Sequence, residues 1–396
     1  MVYIPRNAIY NIRLALDRGK SVLLLGARQT GKTTIVQHSF QPAVSISLLN
    51  SDFRRKYEQS PSRLTQELQA QKKLTKTMPL VFIDEVQKVP ELMDEIQWMI
   101  DNGIAQFIIT GSSARKLRRG TNINLLPGRV VVIHLDPLSI DELHSLDISL
   151  EEYLLFGSLQ HIILEKDNAA RETDLLSYVS TYLEEEIREE ALVRNVGSFA
   201  NFLELAASES GGMINYSGLA EALGLPRALI CSYFEILEDC LVAEKISPLV
   251  LSSTRRRLSK SEKYIFFDLG IRRICAKEGS QLPRDVLGRL FEQFIGLNLL
   301  YKIRQAYPLH RLCYWRDHNG PEVDYVIVQE KTLIPIEVKL TDKPSSADVR
   351  HLKFFCNEYG HVKQAFLICQ VATPVLLDEN ILALPWRELG RCFELL

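Results

Sequence analysis

An eight-residue stretch near the amino terminus constrains the fold of this chain more than any other feature. Residues 26–33 read Gly-Ala-Arg-Gln-Thr-Gly-Lys-Thr, between an apolar run at residues 22–25 and a helix-forming run at residues 34–37. The glycines let the backbone fold around a phosphate without Cβ clashes, and the amides at the start of the following helix favour an anion. A strand, this loop and a helix in succession predict a phosphate-binding loop.

Every residue of the loop is a candidate contact for a nucleotide. The candidates are Gly26, Ala27, Arg28, Gln29, Thr30, Gly31, Lys32, Thr33 and Thr34. We expect Lys32 to reach the β- and γ-phosphates of ATP, and the hydroxyl of Thr33 to bind Mg²⁺. ATP and Mg²⁺ are therefore the predicted cofactors. The alternative is a glycine-rich turn that binds nothing.

Two acids end a second apolar strand. Residues 79–83 are apolar and lead directly into Asp84 and Glu85. Ligands bind beyond the carboxyl ends of the strands in a parallel sheet, so the two acids are expected beside the loop. We expect Asp84 to hold Mg²⁺ through water and Glu85 to polarise the attacking water.

A third strand, residues 107–110, leads into hydroxyl side chains and then a basic segment. Ser112 is expected to sense the γ-phosphate or to orient water, while Ser113 fits the N-cap of the next helix. An arginine that reaches the phosphate of a neighbouring subunit would stabilise transition-state charge, and Arg129 and Arg119 are the candidates. A homo-oligomer is accordingly an expected partner. The alternative is a solvated basic helix face.

The order of these segments predicts a doubly wound α/β ATPase domain, with a P-loop parallel sheet, over residues 1–145. The chain also resembles a known family, the AAA-superfamily ATPases that carry a C-terminal domain of unknown function numbered 4143. The resemblance rests on the loop, on Ile-Asp-Glu-Val-Gln at residues 83–87 and on Thr-Gly-Ser-Ser-Ala-Arg-Lys-Leu at residues 110–117. It covers nearly the whole chain. The chain departs from the family at residues 157–160, which read Gly-Ser-Leu-Gln where Gly-Gly-x-Pro is usual.

Composition and charge exclude several classes of protein. The 396 residues suffice for two or three domains, and 47 Lys and Arg against 49 Asp and Glu leave no global field that attracts nucleic acid. A nucleic-acid site would therefore be a local patch. Seven scattered cysteines without a Cys-x-x-Cys pair fit reduced thiols in a cytosolic protein. With no apolar run of membrane-spanning length and no signal-peptide core, we expect a cytoplasmic protein without a membrane partner.

The middle of the chain, residues 146–255, is predicted to be helical with a winged-helix-like part. Residues 214–225 and 227–238 have helix-turn-helix spacing with glycine at the turn, and residues 240–244 start a strand-like wing. The family resemblance implies the same winged-helix element.

Two sets of charges bear on whether this middle part reads DNA. Glu235 and Glu238 on the second helix would repel phosphates, so a packing or oligomer contact is favoured over sequence-specific DNA reading. The basic run at residues 255–257, with Lys260 and Lys263 beyond it, is the better candidate for phosphate contact. The alternative for this run is a solvated loop tip.

The C-terminal part, residues 256–396, carries charged residues on apolar strands. Side chains alternate along a strand, so Glu337 and Lys339 share one face, and Asp324 on the neighbouring strand can reach the same face. Two carboxylates and a lysine at one strand edge suit a Mg²⁺ site that activates water. Lys339 would position that water or neutralise charge.

This Asp…Glu-x-Lys arrangement, preceded by Glu292 in a helical segment, resembles the restriction-endonuclease-like superfamily, which implies a restriction-endonuclease-like α/β C-terminal domain. The predicted metal ligands of this domain are Glu292, Asp324 and Glu337. The alternative is a surface Glu–Lys pair on an exposed strand, which would contribute little to stability.

We therefore expect a protein that binds and hydrolyses ATP and carries a Mg²⁺-dependent nuclease-fold domain acting on DNA or RNA. One alternative is a signalling ATPase whose C-terminal domain binds nucleic acid or protein without cleavage. Another is an oligomeric ATPase scaffold without nuclease chemistry. The intact set of Asp324, Glu337 and Lys339 favours cleavage, whereas the near-zero net charge favours the alternatives.

Overall fold

The computed structural model describes residues 3–112, 126, 128–183, 196–250, 261–317, 320–360 and 362–394. Three residues named above, Ser113, Arg119 and Lys260, and the basic run at residues 255–257 lie outside the described residues.

The amino-terminal part folds around a five-stranded sheet. Its strands are β1 (Ser21–Leu25), β2 (Val44–Ser47), β3 (Leu80–Asp84), β4 (Gln106–Gly111) and β5 (Val130–His134), in the spatial order β2-β3-β4-β1-β5. Each neighbouring pair is parallel. The predicted parallel α/β fold of this part is confirmed.

Helices cover both faces of this sheet. They are α1 (Ala8–Asp17), α2 (Lys32–Ser39), α3 (Ser51–Gln59), α4 (Ser62–Thr75) and α5 (Leu92–Asp101), with a 3₁₀ turn at Val86–Lys88. On one face, Ile12 of α1 and Val36 of α2 pack with Leu24. On the other, Leu68 of α4 and Ile96 of α5 belong to a separate core. Strands buried on both faces read as nearly continuous apolar runs, which is why the sequence showed them clearly.

The middle part is mostly helical. Its helices are α6 (Ile140–Leu143), α7 (Leu150–Phe156), α8 (Gln160–Ile163), α9 (Asn168–Ser177), α10 (Val196–Ser208), α11 (Tyr216–Leu223), α12 (Arg227–Asp239) and α13 (Leu269–Cys275), with a π-helical segment at Tyr178–Leu183. Ser139 and Ser149 open α6 and α7 with capping boxes. Gly224, in the left-handed conformation, ends α11. The apolar side of α12, including Tyr233 and Phe234, packs against α10.

An eight-stranded sheet runs from the middle part into the C-terminal part. Its strands are β6 (Ala243–Pro248), β7 (Lys263–Phe266), β8 (Arg311–Arg316), β9 (Glu322–Gln329), β10 (Thr332–Val338), β11 (Ala365–Cys369), β12 (Val375–Asp378) and β13 (Ile381–Pro385), in the order β12-β13-β11-β10-β9-β8-β6-β7. The domain boundary expected between residues 255 and 256 stays a prediction, and it falls between two strands, β6 and β7, that pair with each other.

Two helices sandwich this second sheet. The long helix α14 (Arg284–Ala306) lies on one face, where Phe294 packs with Tyr325 and Ile336. The helix α15 (Arg350–Glu358) lies on the other, where Phe355 packs with Val326. A 3₁₀ segment, Trp386–Phe393, follows the last strand.

Two general features bear on the expectations from composition. All seven cysteines lie within the described residues, and none of them forms a disulfide. Within the described ranges, no helix combines the length and apolar character needed to cross a membrane.

Candidate functional site

The glycine-rich loop lies between β1 and α2, as the sequence predicted. Gly31 has φ 94° and caps α2, a backbone conformation that glycine adopts without strain. At Gly26 an added Cβ would lie 2.4 Å from the carbonyl oxygen of Leu135, so only glycine fits there. Gln29 also has a positive φ, 63°. The loop therefore turns through left-handed conformations at Gln29 and Gly31 before α2 begins, and it packs closely against Leu135 at Gly26.

Lys32 is folded onto its own loop. Its Nζ donates hydrogen bonds to the carbonyl oxygens of Gly26 (2.9 Å) and Ala27 (3.0 Å). The same ammonium lies 3.9 Å from Oε1 of Glu85, and the side chain is buried. The cation is thus held between the loop and the acid that follows β3.

Asp84 is surrounded by hydroxyl groups. Its Oδ1 accepts hydrogen bonds from Thr33 (3.0 Å) and Thr110 (2.7 Å), and its Oδ2 accepts one from Ser47 (3.4 Å). The carboxylate is buried at the carboxyl edge of the sheet. Carboxylate and hydroxyl oxygens are the ligands that Mg²⁺ prefers, so Thr33 and Asp84 suit a magnesium ion.

Glu85 has a left-handed backbone, with φ 60°, which is uncommon for a residue with a side chain. Its backbone N–H donates to Oγ1 of Thr110 (3.0 Å). Its Oε2 accepts hydrogen bonds from Ser112 (3.1 Å) and from the amide of Gln87. Gln87 also donates to Ser112 (2.8 Å). The structure therefore brings together Glu85 and Ser112, the two residues that the sequence analysis placed beside the phosphate.

Sequence reasoning missed Gln87 and Thr110. Thr110 is the next-to-last residue of β4, at the same edge as Asp84, and this position was a signal that could have found it. Gln87 lies two residues after Glu85, on the 3₁₀ turn, and it is the last residue of the motif at residues 83–87, which was the signal that could have found it.

A cavity of about 450 Å³ lies beside the loop. Its lining includes Arg28, Gln29, Gly31, Lys32, Thr33, Thr34, Leu49 and Glu85, with Gln160 and His161 from α8. Gln160 and His161 were not predicted to line the site. Gln160 occupies the last position of the departure from Gly-Gly-x-Pro, and this departure was the signal that pointed to it. The middle part of the chain thus closes one side of the cavity.

A buried aspartate holds the segment that carries Gln160. Oδ2 of Asp268 accepts a hydrogen bond from the N–H of Ser158 (2.7 Å), and Oδ1 accepts one from Ile271 (3.1 Å). Gly157 has φ 72°, and a Cβ there would lie 2.1 Å from Oδ1 of Asp268. Burial raises the pKa of Asp268 to about 6, although the backbone hydrogen bonds that stabilise the carboxylate lower the pKa.

Arg6 connects the loop to the segment after β5, and sequence reasoning did not find it. The buried guanidinium donates to the carbonyl oxygens of Thr30 (2.7 Å) and Asp136 (2.6 Å). It also forms an ion pair with Glu142 (3.1 Å). A buried arginine with all these partners positions the backbone of the loop.

Arg129 lies at the amino edge of its own sheet. Its carbonyl oxygen accepts a hydrogen bond from Ser21, the first residue of β1, whereas the loop follows the other end of β1. Its Nε lies 2.5 Å from Oδ1 of Asp101. Arg129 is therefore at the opposite edge of the sheet from the phosphate loop of its own chain. Arg119, the other candidate, lies outside the described residues.

The structure brings Asp324, Glu337 and Lys339 together in the C-terminal part. Strands β9 and β10 pair with Ile336 opposite Tyr325, so the next pair of residues is Glu337 and Asp324. Oδ2 of Asp324 accepts a hydrogen bond from the N–H of Val338 (2.8 Å). Nζ of Lys339 lies 2.8 Å from Oε1 of Glu337.

Both carboxylates of this pair are buried, with exposed fractions of 6% for Asp324 and 3% for Glu337. Burial and the negative charge of Asp324 raise the pKa of Glu337, and burial raises the pKa of Asp324. Oε2 of Glu337 has no hydrogen-bond partner among the described residues. Two buried like charges and an unsatisfied oxygen fit a site for a cation.

Glu292 on α14 pairs with Lys263 of β7 at 3.1 Å. Burial and the charge of Asp324 raise the pKa of Glu292. In the described parts of the chain, no three His, Cys, Asp or Glu side chains are grouped so that they could hold a metal ion. As a metal ligand, Glu292 stays a prediction, and its partner in this structure is Lys263.

Lys263 differs from the exposed basic run that the sequence indicated. Its side chain is buried, although Lys263 starts β7 at the edge of the second sheet. Its ammonium lies over the ring of Tyr314, 5.1 Å from the centroid, in addition to its ion pair with Glu292. Lys263 is therefore a buried counter-ion of the C-terminal acids and not a solvated phosphate contact.

Family comparisons divide the chain into three regions. Residues 18–144 match an AAA domain, residues 147–281 match a domain of unknown function (DUF8612), and residues 287–389 match a second one (DUF4143). The chain thus matches an AAA domain towards its amino-terminal end and DUF4143 towards its C-terminal end. This part of the resemblance proposed from the sequence is confirmed.

The relatives found by sequence are uncharacterised proteins. One from Mycobacterium tuberculosis is 26% identical over 345 residues, which cover 86% of this chain and 75% of the relative. One from Methanocaldococcus jannaschii is 22% identical, and the match covers 94% of this chain and 84% of the relative.

One solved structure with some similarity is a Walker-type ATPase of Pyrococcus abyssi, which is 17% identical in sequence. The match covers 69% of this chain and 96% of the Pyrococcus chain, and the TM-score is 0.47. A Thermococcus gammatolerans assembly of McrB AAA+ hexamers with bound McrC matches at 12% identity, covering 64% of this chain and 74% of that chain, with a TM-score of 0.25.

Proposed function

We propose that this protein binds ATP with Mg²⁺ in the cavity beside residues 26–33 and hydrolyses it. The observation that carries the proposal is the hydroxyl of Thr33, 3.0 Å from the buried carboxylate of Asp84. These oxygens, at the start of α2 and the end of β3, are suited to hold Mg²⁺ against the phosphates. The loop amides and Lys32 supply the positive charge for the phosphate oxygens.

The other residues of the site divide the remaining tasks. Glu85 accepts a hydrogen bond from the attacking water and so orients it towards the γ-phosphate. Ser112 and Gln87 hold the carboxylate of Glu85, and Thr110 holds both Asp84 and the backbone of Glu85. Mg²⁺, when bound, neutralises charge that develops on the phosphate oxygens.

The test is phosphate release from ATP by the purified chain, with nucleotide binding measured in parallel. Lys32→Ala should reduce hydrolysis to background and weaken ATP binding, because the phosphates lose the cation of the loop. Lys73→Ala, an exposed lysine on α4, is the matched control and should behave as wild type. Absence of both ATP binding and hydrolysis in the wild type would refute the proposal.

We propose a second, metal-dependent activity for the C-terminal part, namely cleavage of a phosphodiester bond in DNA or RNA. The supporting observation is the buried pair of Asp324 and Glu337, with one unsatisfied oxygen on Glu337 and the ammonium of Lys339 beside it. Asp324 and Glu337 would hold Mg²⁺, with Glu292 acting through water. When bound, the metal would supply an activated water, and Lys339 would neutralise charge on the phosphate.

A binding function without cleavage is the alternative for this region. Plasmid DNA, linear DNA and RNA are each incubated with the protein, with Mg²⁺ or Mn²⁺ and with or without ATP. Cleavage by the wild type and its loss in Glu337→Gln would support the nuclease proposal. Tight binding of one of these polymers without cleavage under any condition would support the alternative.

A further inference from the structure

A groove of about 750 Å³ runs between the two sheets, and its lining includes no residue of the two proposed active sites. One wall is formed by α1 and by four consecutive residues of β5, residues 131–134. The other wall is formed by the end of α14, the start of β8, and Lys245 and Ser247 of β6. Neither proposed activity uses this groove.

The wall formed by β5 is an open strand edge. Within the described residues, β5 is the last strand of its sheet and pairs only with β1. Two hydrogen bonds show which backbone groups face β1. The carbonyl oxygen of Arg129 accepts a hydrogen bond from the N–H of Ser21, and the N–H of Leu135 donates one to the carbonyl oxygen of Leu25. Backbone groups alternate between the two edges of a strand, so Val132, which lies between these residues, points its N–H and C=O into the groove.

The rims of the groove are apolar and basic. Leu14 of α1 and Val132 of β5 are 46% and 41% exposed. Arg18 and Arg311 lie on opposite walls, are exposed, and form no ion pair with any described residue. Of the described residues that line the groove, none is an Asp or Glu. An occupant with carboxylate groups would therefore complement both rims.

A buried histidine also faces the groove. The side chain of His310 is 9% exposed, and neither Nδ1 nor Nε2 has a hydrogen-bond partner among the described residues. The ring packs edge-on against Tyr307, 5.2 Å between centroids. Buried polar groups normally have a partner, so this imidazole leaves a hydrogen-bonding requirement beside the groove that no described residue meets.

We propose that this groove binds an extended, acidic peptide segment of another protein, which adds to β5 as a sixth strand. Such a strand would satisfy the N–H and C=O of Val132, and its carboxylates would pair with Arg18 and Arg311. The observations favour a peptide over a nucleic acid because a phosphate backbone offers only acceptors, which would leave the C=O of Val132 without a donor. Leu14 and Val132 also match apolar side chains that alternate along a strand.

The test uses two fluorescent peptides, Val-Glu-Val-Glu-Val and Val-Lys-Val-Lys-Val, both blocked at their ends, and measures anisotropy with the full chain. Val132→Pro removes the open N–H without touching the ladder to β1, and edge strands tolerate proline. Val132→Thr keeps the N–H and is its matched control. Hydrogen exchange at the amide of Val132 is measured with and without peptide.

The Glu peptide should bind the wild type and Val132→Thr at least tenfold more tightly than it binds Val132→Pro, and it should slow exchange at Val132. The Lys peptide should bind at least tenfold more weakly. Arg18→Glu and Arg311→Glu, which leave the backbone of β5 unchanged, should each weaken binding of the Glu peptide. The exposed control Arg13→Glu should not weaken this binding.

The proposal is overturned if the Glu peptide does not bind, or if it binds without regard to Arg18 and Arg311. It is also overturned if a single-stranded DNA oligonucleotide binds in a manner that needs Arg18 and Arg311 and displaces the peptide, since the groove would then be a phosphate site. If Val132→Pro fails to fold, the proposal is tested by peptide binding to the arginine variants and by amide hydrogen exchange at Val132 in the wild type.

Discussion

The hydroxyl of Thr33 lies 3.0 Å from Oδ1 of Asp84, although 51 positions separate the two residues in the sequence. The contact joins the start of α2 to the end of β3, two strands away from β1 in the sheet. Parallel strands end at one edge, so the loop after β1 and the acids after β3 meet there. This contact lies at the centre of the proposed ATP site, and the first predictions concern it.

Glu85→Gln should lower the rate of ATP hydrolysis by about 100-fold or more while ATP binding is retained. The amide cannot polarise water, whereas Thr33 and Asp84 remain in place. The measurement is steady-state hydrolysis together with nucleotide affinity. Ser112→Ala, which removes one donor to Glu85 and one acceptor for Gln87, should have a smaller effect. Equal turnover by wild type and Glu85→Gln would remove Glu85 from this role.

Thr110→Val should destabilise the fold by about 1–3 kcal/mol and slow hydrolysis, because the buried carboxylate of Asp84 loses a donor. The substitution keeps the shape of the side chain and removes only the hydroxyl. Thr110→Ser retains the hydroxyl and is the control. Urea unfolding and hydrolysis rates are compared for the three proteins. If the Val and Ser variants match in both measurements, the hydroxyl has no role.

If Arg129 acts on the phosphate of a neighbouring subunit, Arg129→Ala should lower turnover and leave ATP affinity nearly unchanged. Mixing Arg129→Ala subunits with Lys32→Ala subunits should restore some activity. One kind of mixed interface then combines Lys32 of the first variant with Arg129 of the second. Asp101→Ala is the control, because it removes the intrachain ion pair and leaves the arginine. An equal loss of turnover in Asp101→Ala would assign Arg129 a structural role within its own chain.

The pKa of Asp268 leads to a pH dependence of stability. Burial raises the pKa from an ordinary 3.8 to about 6, so the folded state holds the proton more tightly than the unfolded state. The stabilisation is complete below pH 4 and is lost as the pH rises through 6. Relative to Asp268→Asn, which does not titrate, the wild type should therefore lose about 3 kcal/mol of unfolding free energy between pH 4 and 7.

Urea unfolding of wild type and Asp268→Asn at several pH values measures this difference. The exposed Asp17→Asn serves as a control and should show no comparable change with pH. A constant difference between wild type and Asp268→Asn across the range would contradict the raised pKa.

In the C-terminal part, Asp324→Asn should lose affinity for Mn²⁺, whereas Lys339→Ala should keep it, because lysine is not a metal ligand. Both variants should stop cleavage of nucleic acid and spare ATP hydrolysis, since the two sites lie on different sheets. Calorimetric titration with Mn²⁺ and the two activity assays measure these effects. A wild type that binds no Mn²⁺ would leave Asp324 and Glu337 without a catalytic role.

Much of the candidate site could be predicted from the sequence because its signals are local. The loop, the acids at the end of β3 and the alternation of Glu337 and Lys339 each occupy a few consecutive residues. Their meeting follows from regular geometry, since parallel strands share one carboxyl edge and side chains alternate along a strand.

The contacts that the sequence did not reveal join residues from different parts of the chain. Arg6 reaches the loop carbonyl of Thr30, and Lys263 pairs with Glu292 on a different element. Lys263 was expected in an exposed basic run because a local charge pattern carries no information about which residues will be covered.

The sequence by itself determined the strand, loop and helix that suit a phosphate, two further apolar strands of the first sheet, and the face shared by Asp324, Glu337 and Lys339. Only the tertiary structure decided that Gln160 and His161 line the cavity beside the loop, that Lys263 is buried, and that one edge of β5 pairs with no strand among the described residues. The physical reason is that periodicity and turn chemistry act over a few residues, whereas burial and strand pairing depend on how distant segments pack.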